Sequence, residues 1–359
     1  MVRRVIVGVS GEKLTDAEKQ NLKTYKPLGV VLFKRNISSY DQLKKLVSEI
    51  KITLDHDYVH IAIDQEGGEV SRLEDIIKED GGRTYSAGFF RCAHESIDGK
   101  DSLESFNLHK DINTLLKEQN ILTAQKMLDL GINVNFSPVA DLWRENATIK
   151  ILNSRTFSSK VDGIVNSCKI VIEAMEGNGI LSVVKHIPGH GCTLQDTHED
   201  FAYSISSLDE LTESDAKIFQ DLKDNAKWAM VSHIIYRALD GDSPASISKK
   251  VIDFIRKHIG FSGILVTDAI EMKAVYNIDK DICKVAERAI DAGVDIVLYC
   301  EEGAAKNAEF LASIPEASDE LLNKISDALP TRSTESSTAL TNITWKKIQK
   351  DAERISSIK

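Results

Sequence analysis

Lys185-His186-Ile187-Pro188-Gly189-His190-Gly191, followed by Asp196-Thr197-His198, sets a lysine and three histidines around a Pro-Gly turn close to an aspartate. A histidine beside a carboxylate is suited to proton transfer near neutral pH, because the carboxylate orients the ring and supports its charged form. Thr267-Asp268 closes the apolar run Ile264-Leu265-Val266, so Asp268 is either a structural cap or a buried nucleophile. Asp64 leaves another apolar run into Gln65-Glu66-Gly67-Gly68, where paired glycines let the chain bend without a side chain filling the space. Asp141 and His233 end two further runs. Taken singly, each is as readily a satisfied polar group at a strand end, and His198 alone reads as a solvated loop histidine.

The elements that must hold these residues are legible as a repeat. Eight short runs rich in Val, Ile and Leu occupy residues 4–9, 29–33, 59–64, 134–137, 181–186, 228–233, 264–268 and 295–299. Continuous rather than alternating apolar character fits strands of a parallel sheet buried on both faces. Amphipathic stretches at 15–25, 41–51, 119–130, 162–177, 209–225 and 280–292 read as the helices between them. Eightfold strand–helix alternation predicts an α/β fold, the closed (β/α)₈ TIM-type barrel, with an open doubly wound sheet as the alternative. In such a barrel Asp64, Asp141, Lys185, His186, His233 and Asp268 converge at the C-terminal ends of the strands, where catalytic groups gather.

One interval is irregular. Nearly seventy residues part Asp64 from Val134, and the polar segment 74–113 within it reads as a long βα insertion with a small helix of its own. The expected organisation is a single catalytic barrel over 1–312, insertion included. A polar C-terminal extension over 313–359 ends in a helix at 345–358 packed on the barrel's outside.

Composition narrows the function classes. The chain has 359 residues, 42% of them hydrophobic, and a net charge of −10, which favours neither nucleic acid nor an anionic membrane as partner. No apolar stretch approaches the ~20 residues that span a bilayer, and the run 5–9 behind two arginines is too short for a signal peptide. The five cysteines are odd in number, scattered and without a C-x-x-C pair, so they read as free thiols of a cytoplasmic protein.

IDQEGG (63–68), NFSPVADL (135–142), NSRTF (153–157), KHIPGHG (185–191) with DTH (196–198), SHIIY (232–236) and VTDAIEM (266–272) occur in that order. Together they resemble glycoside hydrolase family 3, in particular its single-domain bacterial β-N-acetylglucosaminidases of the NagZ type. The resemblance implies that Asp268 is the nucleophile and His198 the general acid/base, with Asp196 as its orienting partner. It assigns the hydroxyls of the terminal sugar to Asp64, Arg155, Lys185 and His186, and a less defined role to Arg72. Lys185 is expected near Asp268, where its charge would keep the nucleophile ionised. It further implies a muropeptide-derived saccharide, N-acetylglucosamine on 1,6-anhydro-N-acetylmuramic acid, as substrate. No cofactor or metal is implied, and the enzyme is expected to act in the cytoplasm as a monomer.

Two positions depart from the family pattern: Glu69 stands in the usual GGRV, and Ala269 replaces the second aspartate after the nucleophile. Three other readings bear weighing. A metal hydrolase could use His186, His190, His198, His233 and Asp268, but an H-x-H at a strand end is lacking. A phosphorylase of the same family would meet Glu271, Glu301 and Glu302 where phosphate needs positive charge. A sugar-binding barrel without activity would be expected to have lost Asp268 or the Asp196–His198 pair.

Overall fold

In the computed structural model, which describes residues 1–99, 102–145, 150–190, 193, 201–330 and 343–357, the chain closes a barrel of eight parallel strands. The strands are β1 (Arg3–Gly8), β2 (Pro27–Leu32), β3 (His60–Ile63), β4 (Val134–Asn135), β5 (Leu181–Ile187), β6 (Trp228–Val231), β7 (Ile264–Ala269) and β8 (Ile296–Tyr299). Neighbours in sequence are neighbours in the barrel, and β8 returns to β1 with Val5 opposite Val297. The eight apolar runs are these strands, and the (β/α)₈ barrel is the fold.

Both faces of each strand are covered. Ile6, Val31, Val183, Val266 and Leu298 fill the barrel interior, whereas Val5, Val7, Val30 and Val184 face the surrounding helices. That double burial is why the runs are apolar throughout rather than alternating. Leu321, Ile325 and Ala328 of the helix Asp319–Ala328 join the interior cluster and close its lower end.

The strand ends differ from expectation in instructive ways. The run 134–137 forms a ladder only over two residues, because the Asn135 side chain takes over the pairing: it accepts from Gln65 N at 3.0 Å and donates to Gln65 O at 3.0 Å. Pro138, without an N–H, cannot extend a ladder. The run 228–233 stops at Val231, which frees His233 to turn away.

The helices α1 (Asp16–Tyr25), α2 (Tyr40–Leu54), α3 (Leu103–Asp129), α4 (Val161–Glu176) and α5 (Asp215–Leu222) follow the first five strands. The α1 start is a capping box: Thr15 accepts from Glu18 N while the Glu18 carboxylate accepts from Thr15 N. The stretch 209–225 is not one helix but two, Leu208–Glu213 and α5, broken at Ser214 (φ −121°, ψ −86°). There the fully buried Asp215 is drawn to Arg144, 2.5 Å away.

The insertion contains more helix than its polarity suggested. After the hairpin Gln65–Gly67/Val70–Ser71 come the helices Glu74–Glu79 and Ala87–Glu95, then the 27-residue α3. The apolar rhythm of α3 is readable only from Ile112 onward. Its first turns leave Leu103 and Phe106 in solvent, so the sequence placed the helix start too late. The helix Trp345–Ser356 lies on this region: Lys347 pairs with Glu118, Arg354 with Asp111 at 3.0 Å, and the Trp345 ring covers Gly82. No helix of the described residues is long and apolar enough to cross a membrane.

His60 lies wholly inside the barrel, its ring 5.3 Å from the Trp228 ring. Burial pushes it down to about 4, against the weaker pull of the Tyr58 carbonyl. Its folded value is thus below the unfolded one, so the unfolded chain binds the extra proton between about 4 and about 6.5. Stability should fall as pH is lowered through that window, and His60→Gln should flatten the fall. Thermal unfolding from pH 7 to pH 4 on both proteins reads this directly; identical slopes would show that His60 carries none of it.

Candidate active site

Two carboxylates and two cations form the polar wall of the barrel mouth. Asp64 and Glu66 follow β3 two residues apart, so they face the same side of an extended chain. Lys185, near the end of β5, reaches both: Nζ lies 2.7 Å from Asp64 Oδ1 and 2.7 Å from Glu66 Oε1. Arg155, from the loop after β4, completes the set with a bidentate pair, Nε and Nη2 each 2.8 Å from a Glu66 oxygen. Burial alone would raise the Glu66 carboxyl, but Arg155 and then Lys185 hold it down at about 2. Burial likewise opposes the charge on Lys185, and Asp64 and Glu66 more than restore it. Fork-to-fork geometry of this kind fixes position as well as charge.

Behind this wall Asp141 organises two histidines. Its Oδ2 meets His186 Nδ1 at 2.7 Å, and its Oδ1 accepts from His190 N at 3.0 Å and His186 N at 3.3 Å. Burial would raise Asp141, yet the facing His186, and after it His190, hold it well below the usual carboxylate range. Burial pushes His190 down to about 4, so its ring is neutral at pH 7. The ligand atoms of Asp141, His186 and His190 lie within 4.8 Å of one another, a metal-sized spacing. Both Asp141 oxygens, however, already accept hydrogen bonds from this group, which fits a buried support for the His186 ring.

Asp268 ends β7 and faces the same cavity, its Oδ1 accepting from Ala269 N at 2.8 Å. The cavity measures about 420 Å³, within the range of small-molecule sites. Asp64, Glu66, Arg155, Lys185 and His186 are among its polar lining residues, and Phe33, Phe136, Met230, Met272 and Leu298 among its apolar ones. Arg72 also lines it, its guanidinium 5.9 Å from the Phe33 ring centroid and its Nε buried with no hydrogen-bond partner among the described residues.

The expected residues Asp64, Arg72, Arg155, Lys185, His186 and Asp268 therefore share one cavity. Asp196 and His198 lie outside the described residues. Lys185 lines the same cavity as Asp268, and its ion pairs go to Asp64 and Glu66. His233 does not line the cavity. Its ring bonds to Ser246 Oγ at 2.7 Å and to Ala269 O at 2.9 Å, bracing the backbone directly after Asp268. Ala269 thus serves through its main chain, which its side-chain departure leaves intact. Glu69, the other departure, accepts from Ser154 Oγ at 2.6 Å, beside Arg155.

Sequence reasoning passed over Glu66, hidden in a motif read as a turn; its i, i+2 relation to Asp64 was the available signal. It also weighed Glu271 only against phosphate. This carboxyl lines the cavity and accepts from Cys300 N at 3.0 Å. Burial first, with the charges of Asp268 and Glu301, pushes it up to about 7.

A closed (β/α)₈ barrel whose strand ends gather paired carboxylates and cations around one small cavity is the architecture of a barrel enzyme acting on a small molecule. Residues 2–329 match the family described as "Glycosyl hydrolase family 3 N terminal domain", and the chain belongs to glycoside hydrolase family 3. It is a glycoside hydrolase. A "Beta-hexosaminidase" of Psychromonas ingrahamii is 30% identical over 328 residues, spanning 90% of this chain and 91% of the relative. One from Stenotrophomonas maltophilia is 31% identical over 303 residues, spanning 82% and 83%. Among solved structures, NagZ from Neisseria gonorrhoeae in complex with N-trifluoroacetyl-D-glucosamine superposes with a TM-score of 0.81. It is 24% identical, over 99% of this chain and 97% of that one, and at this identity the likeness speaks to the fold.

Glu66→Ala would leave Arg155 and Lys185 with an uncompensated buried charge, a loss expected to cost about 3–5 kcal/mol of stability. Urea unfolding measures it. A loss below about 1 kcal/mol would mean that Asp64 alone satisfies both cations.

Proposed function

We propose that the protein is a retaining exo-β-N-acetylglucosaminidase that releases terminal N-acetylglucosamine from GlcNAc-1,6-anhydroMurNAc fragments of peptidoglycan. The observation that carries this reading is that Asp268 lines one sugar-sized cavity together with the Asp64–Lys185–Glu66–Arg155 cluster. The names of the curated relatives and the N-acylated glucosamine bound by the Neisseria protein support the choice of sugar.

In this reading Asp64, Arg155, Lys185 and His186 hold the hydroxyls of the terminal ring, with Arg72 at the rim. Charged partners suit this task, because hydroxyls both donate to carboxylates and accept from cations. Asp141 helps by holding His186 through Nδ1, so that the ring presents a fixed edge. Asp268 attacks the anomeric carbon and forms a glycosyl-enzyme ester while the bond to the leaving oxygen breaks. His198, oriented by Asp196, gives its proton to that oxygen. It then takes a proton from the incoming water, whose oxygen displaces Asp268 and restores the carboxylate. One water is consumed, and the two inversions leave the β configuration unchanged.

Glu271 favours water over phosphate as the acceptor. A carboxyl three residues from the nucleophile, partly ionised at neutral pH, repels a phosphate dianion but not water. The free thiols Cys92, Cys168, Cys283 and Cys300 support a cytoplasmic setting, where cell-wall fragments are recycled.

Hydrolysis of an aryl N-acetyl-β-glucosaminide, with and without phosphate, tests the proposal. Turnover should be independent of phosphate, and Asp268→Ala should lower it by about 10³-fold or more. A phosphate requirement would make the protein a phosphorylase, and an Asp268→Ala variant of normal rate would remove Asp268 from the chemistry.

A further inference from the structure

Arg155 can grip a sugar only if its loop is held still, and the insertion does the holding. The helix Ala87–Glu95 begins at the Ser86 cap and points its first turns at residues 153–156. Gly88 N donates to Ser154 O at 2.9 Å, and a Cβ at Gly88 would lie 3.0 Å from Asn153 O, so tight that the loop would have to give way slightly. One turn on, Arg91 presents the same face of the helix. Its Nη1 donates to Asn153 O at 2.9 Å and to Thr156 Oγ1 at 2.8 Å, and its Nη2 donates to Asn153 Oδ1 at 2.9 Å.

The guanidinium also lies 4.6 Å from the Trp143 ring centroid, and Trp143 Nε1 donates to the same Asn153 Oδ1 at 3.1 Å. From the hairpin side Glu69 takes the Ser154 hydroxyl. Residues 153, 154 and 156 are each tied to the segment inserted after β3, and Arg155 between them is left to reach Glu66.

Arg91 is an unusual residue to bury. Its side chain is 7% exposed, and its nearest carboxylate, that of the more exposed Glu95, is 3.9 Å away at Nε. A cation taken out of water without a close counter-ion is costly unless its donors are satisfied. Here Nη1 and Nη2 are both bound by one loop, through a planar fork that a lysine could not reproduce, while Nε has no hydrogen-bond partner among the described residues.

We propose that the insertion is the mount of the sugar-binding loop, with Arg91 as a positioning residue that sets how firmly Arg155 holds the terminal sugar. This rests on the role given to Arg155 above. Arg91 acts through the main chain of residues 153–156, so its loss should weaken the hold on substrate while leaving the Asp268 chemistry in place. In kinetic terms that is a rise in KM with little change in kcat.

The test is a double-mutant cycle on Arg91→Ala and Arg155→Ala, with Arg91→Lys as the conservative variant. Hydrolysis of aryl N-acetyl-β-glucosaminide is read alongside calorimetric binding of N-acetylglucosamine, which needs no turnover. Arg91→Ala should raise KM and Kd about tenfold with kcat nearly unchanged, and Arg91→Lys should fall between it and wild type. The double variant should be no worse than Arg155→Ala, because both act through one contact. Should Arg91→Ala fold poorly, Glu69→Ala at its exposed site should move KM the same way by about two- to threefold.

Losses that multiply in the double variant, or a normal KM and Kd in Arg91→Ala, would overturn the proposal. So would an Arg155→Ala variant that binds sugar as wild type does, even with hydrolysis through Asp268 intact. Absence of turnover in wild type alongside coupled losses in sugar binding would count against the glycosidase reading and leave the mount standing.

Discussion

Glu66 is a nearly buried anion placed where the barrel opens. Its side chain is 6% exposed, and a carboxylate so situated persists only when close cations compensate its lost hydration. Arg155 and Lys185 do so with three contacts of 2.7–2.8 Å, and Asp64 then balances the remaining charge on Lys185. Much of the mouth follows from this arrangement. The loop bearing Arg155 must come close to β3, β5 must carry Lys185 inward, and Glu66 must share a face of the extended chain with Asp64. Gly67 and Gly68, at φ +99° and +62°, then turn the chain back into the hairpin.

The barrel was legible because its physics writes itself into composition. Strands covered on both faces need apolar residues throughout, and eight such runs between amphipathic stretches leave few other folds. What escaped was decided by individual side chains. The β4 ladder ends early because the Asn135 amide substitutes for backbone partners, and the helix near 214 breaks because Asp215 is drawn to Arg144. No periodicity encodes either. The start of α3 was hidden for a different reason: two of its apolar residues there face solvent, which erases the rhythm used to detect a helix.

Site residues divided along a similar line. Asp64, Lys185, His186 and Asp268 were visible because each ends an apolar run, and Arg72 and Arg155 came from the family motifs. Glu66 was passed over because it sits inside a turn motif, where its neighbours' glycines drew the attention. The family resemblance led to the expectation that Lys185 lies near Asp268. Its ion pairs go to the carboxylates beside it, Asp64 and Glu66. The two departures from the family pattern, Glu69 and Ala269, prove to act through Ser154 and through a main-chain carbonyl.

Among the described residues, the cavity lining contains Arg35, Arg72, Arg155 and Lys185 against Asp64, Glu66, Asp268 and Glu271, four groups of each sign. With Glu271 only partly ionised, the sum is close to zero on a molecule whose net charge is −10. These balanced groups project little field of their own beyond a Debye length. A neutral sugar is neither drawn in nor turned away at a distance. It arrives by unsteered diffusion, and the strong local charges act only after it has displaced the water between them.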